Sequence, residues 1–193
     1  MTWVIVTFVL AAAIIIARIY FKLRKIQGSK QESWDAKIIE QLRSKGYAPF
    51  NVVPVNGKLF VTYAVQDEDA EDDVAGMGHG IVNTFDFDGH LLQRFAQHGQ
   101  LDSPWGIALA PAGPLSGTLW IGNFGNGHIN AFDPNTGELI DKVRDTRGQA
   151  IVIDGLWSLR VGNGGNGGFA NTVYFTAGPN GEQDGIFGSL SSQ

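Results

Sequence analysis

Residues 103–122 read SPWGIALAPAGPLSGTLWIG, two short apolar runs joined by a loop rich in proline and glycine. Similar pairs of runs lie on either side, and Phe50 and Trp157 hold the position that Trp105 holds here. These three aromatic positions are separated by 55 and 52 residues. Four β runs in a period of about 50 residues are typical of β-propeller blades. We expect the aromatic residue that begins each unit to pack between sheets.

The turn residues between these runs support the same interpretation. Asn56-Gly57 and Asp88-Gly89 each join two apolar runs, and both dipeptides favour tight hairpins. We therefore predict an all-β fold for residues 46–193, a partial β-propeller of about two and a half four-stranded blades. The predicted blades span residues 46–100, 101–150 and 151–193. Because closed propellers have roughly 4–8 blades, we expect exposed blade edges that self-association would cover.

The first residues are apolar in a way that suggests a membrane. Met1–Ala17 carries no charge, and basic residues follow directly. This run is close to the ~20 residues that span a bilayer core. We predict a transmembrane-type helix over residues 1–27, contacting the membrane through residues 3–21. A cleaved signal peptide and a buried core helix remain alternatives.

A short connector helix is predicted over residues 28–45. Ile38, Ile39 and Leu42 form a narrow apolar stripe at helical spacing, together with Trp34. Gly46 stands where a glycine commonly ends a helix.

Charge divides the chain into two parts. Residues 1–45 carry eight Lys or Arg against three Asp or Glu, whereas residues 46–193 carry six against sixteen. An acidic β region excludes binding to a nucleic-acid backbone, which requires clustered basic residues. With the basic cluster after the apolar run, the positive-inside rule predicts a single-pass membrane protein whose β region is cytoplasmic. The chain has no cysteine, which excludes disulfides and thiolate chemistry.

One acidic stretch is a candidate site. Residues 66–80 read QDEDAEDDVAGMGHG, with six carboxylates in seven positions. Hard cations such as Ca²⁺ favour several carboxylate and carbonyl oxygens, but the stretch does not fit the register of an EF-hand loop. A solvated acidic loop is the alternative. The candidate ligands of a calcium ion are Asp67, Asp69, Glu71, Asp72 and Asp73.

No motif identifies catalytic residues or a further cofactor. The chain contains neither an H-E-x-x-H zinc motif nor a G-x-S-x-G nucleophile elbow.

Five stretches carry a specific resemblance to a known family. They are GYAPFNVVPVNGKLFVTYAVQDEDAEDDVAGMGHGIVNTFDFDG (46–89), SPWGIALAPAG (103–113), GNFGNGHINAFDPNTGELI (122–140), IVIDGLWSLRVGNGG (151–165) and NTVYFTAGPNGEQDGIFGSL (171–190). They resemble the C-terminal part of a family of conserved hypothetical proteins, first catalogued in bacteria with the PEP-CTERM sorting system and found also in fungi. Pro104-Trp105-Gly106-Ile107-Ala108 is similar, more distantly, to NHL-type propellers.

The resemblance implies a propeller-like fold in an exported protein. It implies no established activity, so no catalytic residue is carried over. The chain departs from the family at its beginning, where a membrane-type segment and a short helix stand in place of N-terminal blades. Export and the cytoplasmic placement from the positive-inside rule are therefore both open.

From these features we predict a membrane-anchored binding or scaffold module without catalysis of its own. An unknown protein or small molecule would bind on a propeller face. Two alternatives belong to other classes: a metal-dependent hydrolase of the lactonase type, and a calcium-dependent surface or adhesion protein.

Overall fold

The computed structural model describes residues 34–191, and the side chains of residues 36–191. The predicted transmembrane-type helix over residues 1–27 lies outside this range, as does the start of the predicted connector helix. Within residues 34–191, no helix is both long enough and apolar enough to cross a membrane.

The described chain is mostly β-structure, as predicted. After helix α1 (Trp34–Arg43), the strands form three antiparallel sheets in which each strand pairs with its neighbours in sequence. A short helical turn, α2 (Pro179–Glu182), lies between the last two strands. The first sheet contains β1 (Tyr47–Val55), β2 (Lys58–Val65), β3 (Gly80–Phe85) and β4 (Leu91–Gln97); the second contains β5 (Pro104–Leu109), β6 (Leu119–Asn123), β7 (Ile129–Phe132) and β8 (Leu139–Lys142); the third contains β9 (Leu156–Val161), β10 (Thr172–Ala177) and β11 (Ile186–Ser191).

The predicted tight hairpin at Asn56-Gly57 is confirmed, whereas the strands around Asp88-Gly89 pair through a longer connection, residues 86–90. Val55 pairs with Lys58 across Asn56-Gly57, whose φ angles of 46° and 77° match the tight turns that need two positive φ values. Strand β3 pairs with β4 around the turn that contains Asp88-Gly89. Positive φ costs glycine little, and asparagine less than most residues, so the dipeptide determines where the chain reverses.

Helix α1 ends as its sequence predicts and covers the first sheet. Gly46 has a φ of 78°, and its N–H donates to the carbonyl of Arg43 at 3.0 Å. Leu42 is 3% exposed and packs with Tyr47 and Leu59 on the sheet surface. The narrow apolar stripe therefore seals the face of the first sheet that points away from the second sheet.

Two apolar layers join the three sheets. Phe60 and Val82 of the first sheet pack against Leu119 and Ile121 of the second. In the layer between the second and third sheets, Ile129, Leu156 and Val173 are fully buried, each with 0% exposure.

The inner strands β5 and β9 approach closely because one residue lacks a side chain. A Cβ atom on Gly106 would lie 2.7 Å from the carbonyl oxygen of Trp157 and 3.0 Å from the backbone nitrogen of Leu159. Gly106 thus allows the two backbones to come nearly into contact.

Candidate functional site

Strands β1, β5 and β9 all begin at the same end of the molecule, which we call the strand-start end. The connections β2–β3, β4–β5, β6–β7, β8–β9 and β10–β11 return to this end because each sheet is an antiparallel meander. These connections span residues 66–79, 98–103, 124–128, 143–155 and 178–185. The acidic stretch therefore shares one end with four other loops.

The aromatic residues that mark the repeat meet at the strand-start end. The ring centroids of Phe50 and Trp105 lie 4.7 Å apart, and those of Trp105 and Trp157 lie 4.6 Å apart, both in edge-to-face geometry. Phe124, from the β6–β7 loop, lies 4.4 Å from Trp157. We call these four rings the aromatic cluster. Sequence reasoning expected each ring to pack between sheets, whereas the rings also pack on one another.

Hydrogen bonds fix the cluster to the strands and loops around it. The side-chain amide of Asn51 donates to the Trp105 carbonyl at 2.9 Å, which links β1 to β5. The indole N–H of Trp157 donates to the Glu182 carboxylate at 2.8 Å. The cluster therefore holds the strand starts of the three sheets at one place.

The acidic stretch folds as a closed turn that continues strand β2. Gln66 and Asp73 form an isolated antiparallel bridge, and the N–H of Val74 donates to the carbonyl of Val65 at 2.8 Å. Inside the turn, Asp67 Oδ1 accepts the Glu71 N–H at 2.8 Å. The Asp67 carboxylate therefore stabilises the turn through a backbone hydrogen bond.

The five predicted calcium ligands do not form a compact group of three. Within residues 36–191, three Asp, Glu or His ligand atoms within 4.8 Å of one another occur only at Asp86, Asp88 and His90. These three residues lie in the β3–β4 turn, at the end opposite to the acidic stretch. Asp86 Oδ1 accepts the backbone N–H groups of Asp88 and His90, so this group is explained as a side-chain-stabilised turn.

Asp102 and Ser103, which precede β5, were not predicted and lie against the acidic stretch. Asp102 is 5% exposed, and its Oδ1 accepts the N–H of Gly76 at 2.7 Å. The N–H of Ser103 donates to the carbonyl of His79 at 3.3 Å. A Cβ atom on Gly125 would overlap the Asp102 carboxylate, so a glycine is needed there. No sequence motif marks Asp102, because its neighbours come from two other loops.

Asp73 is the acidic-loop carboxylate with the most perturbed environment. Burial raises its pKa above the ordinary value of 3.8, and the Ser103 side chain acts in the opposite direction. The negative charges of Asp72 and Asp102 raise the pKa further. Although Ser103 Oγ lies near the Asp73 carboxylate, Ser103 Oγ and Asp73 Oδ2 are both buried and neither completes a hydrogen bond of normal geometry.

The raised pKa of Asp73 predicts how stability depends on pH. The folded state holds the Asp73 proton at higher pH than the unfolded state does, so this group lowers stability as pH rises from 3.8 through the raised pKa. In chelator at pH 7 we expect Asp73→Asn to be at least as stable as wild type, with the difference vanishing below pH 3.8. Urea unfolding at several pH values measures this. A clear loss of stability at pH 7 would contradict it.

A shallow cavity opens beside Asp73. It has a volume of about 170 Å³. Its lining is apolar in one part and polar in another. The apolar part comes from Ala48, Pro49, Phe50, Ala64 and Val65, and the polar part from Gln66, Glu71, Asp72 and Asp73. We call this the acidic cavity.

Comparison with known proteins gives relatives whose names state no activity. The chain is 35% identical over 147 residues to "Uncharacterized protein R648" of Acanthamoeba polyphaga mimivirus, which covers 75% of this chain and 36% of that protein. It is 34% identical over 150 residues to "Uncharacterized protein L690" of the same virus, covering 75% of this chain and 38% of that protein. The chain therefore spans little more than a third of these relatives. No family model matches the chain.

Among solved structures, the chain is similar to Kuenenia stuttgartiensis hydrazine synthase, with a TM-score of 0.41 and 13% identity. The similarity covers 86% of this chain and 49% of that one. So loose a likeness carries no argument about activity. The acidic cavity and the buried residues beside it are therefore interpreted from their own chemistry.

Proposed function

We propose that this chain is a partial β-propeller that serves as a binding module, with a positively charged side chain as its ligand. Three successive antiparallel sheets, and aromatic residues at equivalent positions that meet at one end, support a blade-like arrangement of the sheets. The proposed binding site is the acidic cavity.

The cavity suits a lysine side chain of a partner protein. The aliphatic stem of lysine would lie on the apolar part of the lining near Phe50, while its ammonium group would reach the carboxylates of Asp72 and Asp73. A nearby aromatic ring adds to the attraction of a cation when the ring face is available. A small cavity lined by both apolar and acidic residues thus combines burial of the stem with neutralisation of the charge.

Charge at the strand-start end favours a basic partner more broadly. Its five connections hold eleven Asp or Glu, six of them in residues 66–79, one in 98–103, two in 143–155 and two in 178–185. The five connections also hold two arginines, and both pair with nearby aspartates: Arg144 with Asp141 and Arg147 with Asp145. Arg43 and Lys45, just before β1, are further basic residues at this end, where acidic residues outnumber basic ones. Such a field raises the association rate of a cationic partner and weakens as salt is added.

Binding of a lysine-containing peptide to the full chain tests this function. With a decalysine peptide and low-salt calorimetry in chelator, we expect saturable binding that the double variant D72N/D73N weakens at least tenfold. The matched control D86N/D88N makes the same charge change at the opposite end and should keep affinity within about twofold. Equal losses in both variants, or no binding to wild type, would contradict the proposal.

Membrane anchoring and self-association are part of the same proposal. The apolar run over residues 3–21 would hold the module at a membrane, and the third sheet offers an edge for a second copy. At that edge, Phe187 is 73% exposed and Ile186 is 45% exposed. Sedimentation of the full chain with and without liposomes checks both features, and a monomer that stays in the supernatant would exclude them.

A further inference from the structure

The acidic stretch and the start of the second sheet meet at Asp102 and Ser103. We call this contact the joint. Asp102 binds the Gly76 N–H through its carboxylate, and the N–H of Phe124 donates to the carbonyl of Ser103 at 2.9 Å. Asp102 and Ser103 therefore link the β2–β3 loop to the β6–β7 loop. Ser103 adopts a φ of 45°, a strained backbone conformation for serine.

Two oxygen atoms at this joint lack partners. Ser103 is 0% exposed, and its Oγ makes no hydrogen bond of normal geometry. The Oδ2 atom of Asp73 is likewise buried and unpartnered. Leaving such groups unsatisfied is costly, and most buried polar groups in proteins have a partner.

The charges at the joint have one sign. Asp73 lies close enough to Asp72 and Asp102 for their charges to act on it, and no lysine or arginine is among the groups that act on Asp73. The Ser103 side chain acts on Asp73 without reaching the buried Oδ2 atom at normal hydrogen-bond geometry, and oxygen ligands and negative charge are present together. This combination is what a hard divalent cation requires.

We propose that Asp73, Asp102 and Ser103 bind one Ca²⁺ ion that joins the acidic loop to the second sheet. Carboxylate and hydroxyl oxygens would supply the protein ligands, and water with backbone carbonyls would complete the six to eight oxygens that Ca²⁺ takes. With only two carboxylates, we expect a dissociation constant on the order of 10⁻⁴ to 10⁻³ M, the range of weak extracellular sites. This site differs from the sequence prediction, because it keeps only Asp73 and uses Asp102 and Ser103 in place of Asp67, Asp69, Glu71 and Asp72.

The site does not depend on the proposed lysine binding. The peptide experiment is done in chelator and without calcium, whereas the calcium experiment is done without peptide. Ser103 lies outside the lining of the acidic cavity, so a change at Ser103 separates the two ideas.

Terbium luminescence and thermal unfolding of the full chain test the site. Tb³⁺ replaces Ca²⁺ in oxygen sites, and Trp105, two residues after Ser103, is a suitable sensitiser. We expect saturable Tb³⁺ emission that Ca²⁺ displaces. Ca²⁺ at tenfold excess over its dissociation constant should raise the Tm by about 3–6 °C.

Three variants make the test specific. Asp73→Asn and Ser103→Ala should each weaken Ca²⁺ binding at least fivefold and shrink the rise in Tm. In chelator, Ser103→Ala should keep or raise the Tm, because it removes an unsatisfied buried hydroxyl. The control Asp69→Asn, an exposed residue of the same loop, should leave the affinity within twofold.

Two outcomes would overturn the proposal. One is wild-type protein that shows neither saturable Tb³⁺ emission nor a Tm rise in millimolar Ca²⁺. The other is an Asp69→Asn variant that loses as much affinity as Asp73→Asn while Ser103→Ala loses none, which would mean diffuse attraction of cations to the acidic loop.

Discussion

Replacing Leu156 with alanine should lower the free energy of unfolding by about 2–5 kcal/mol, the usual cost of emptying a buried leucine position. Leu156 is 0% exposed and lies between the second and third sheets, next to Gly122. It joins strands that are far apart in sequence, so the cavity would form at the interface that holds the third sheet.

Urea unfolding of wild type, Leu156→Ala and a matched control measures this loss. Leu92 is 51% exposed in β4, and Leu92→Ala makes the same chemical change with an expected loss within about 0.5 kcal/mol. If both variants lost the same small amount, the third sheet would not pack on the second as described.

Replacing Gly106 with alanine should destabilise the protein by about 1–3 kcal/mol through overpacking. The added Cβ would lie 2.7 Å from the Trp157 carbonyl oxygen and 2.9 Å from Leu159 Cγ. The backbone of β9 cannot move away without disturbing the rings of Trp105 and Trp157, which lie 4.6 Å apart.

Gly185→Ala provides the control for this change. A Cβ atom on Gly185 would meet no atom within 4 Å, and its φ is not positive. We expect Gly185→Ala to be neutral or slightly stabilising. Urea unfolding followed by tryptophan fluorescence compares the two variants. Equal stability would refute the close contact of β5 with β9.

The sequence predicted turns, a helix and strands because each of these elements depends on a short stretch of residues. Asn56-Gly57 needs two positive φ values and has them, and the stripe through Ile38 and Leu42 predicted the helix over 28–45 that is described as Trp34–Arg43. The alternation of apolar runs with turn residues predicted the mostly β-structure. Each of these features depends on a few adjacent residues.

The candidate site was harder to predict because its residues come together through tertiary structure. The run from Asp67 to Asp73 is dense in carboxylates, yet its turn uses Asp67 to accept a backbone N–H and leaves Asp73 partly buried. Asp102 is the only Asp or Glu between Asp88 and Asp133 in the sequence. Its contact with Gly76 depends on how the first and second sheets pack, which the spacing of the repeat does not specify.

An NMR titration of the ¹⁵N-labelled full chain with the decalysine peptide, in chelator, tests the central claim most directly. The proposed binding module predicts shift changes concentrated at residues 48–50, 64–66 and 71–73, which line the acidic cavity. It predicts little change in the turns around Asp88 and Asn135, at the opposite end of the sheets. Shift changes centred on those turns, or none at saturating peptide, would contradict a cation-binding face at the strand-start end.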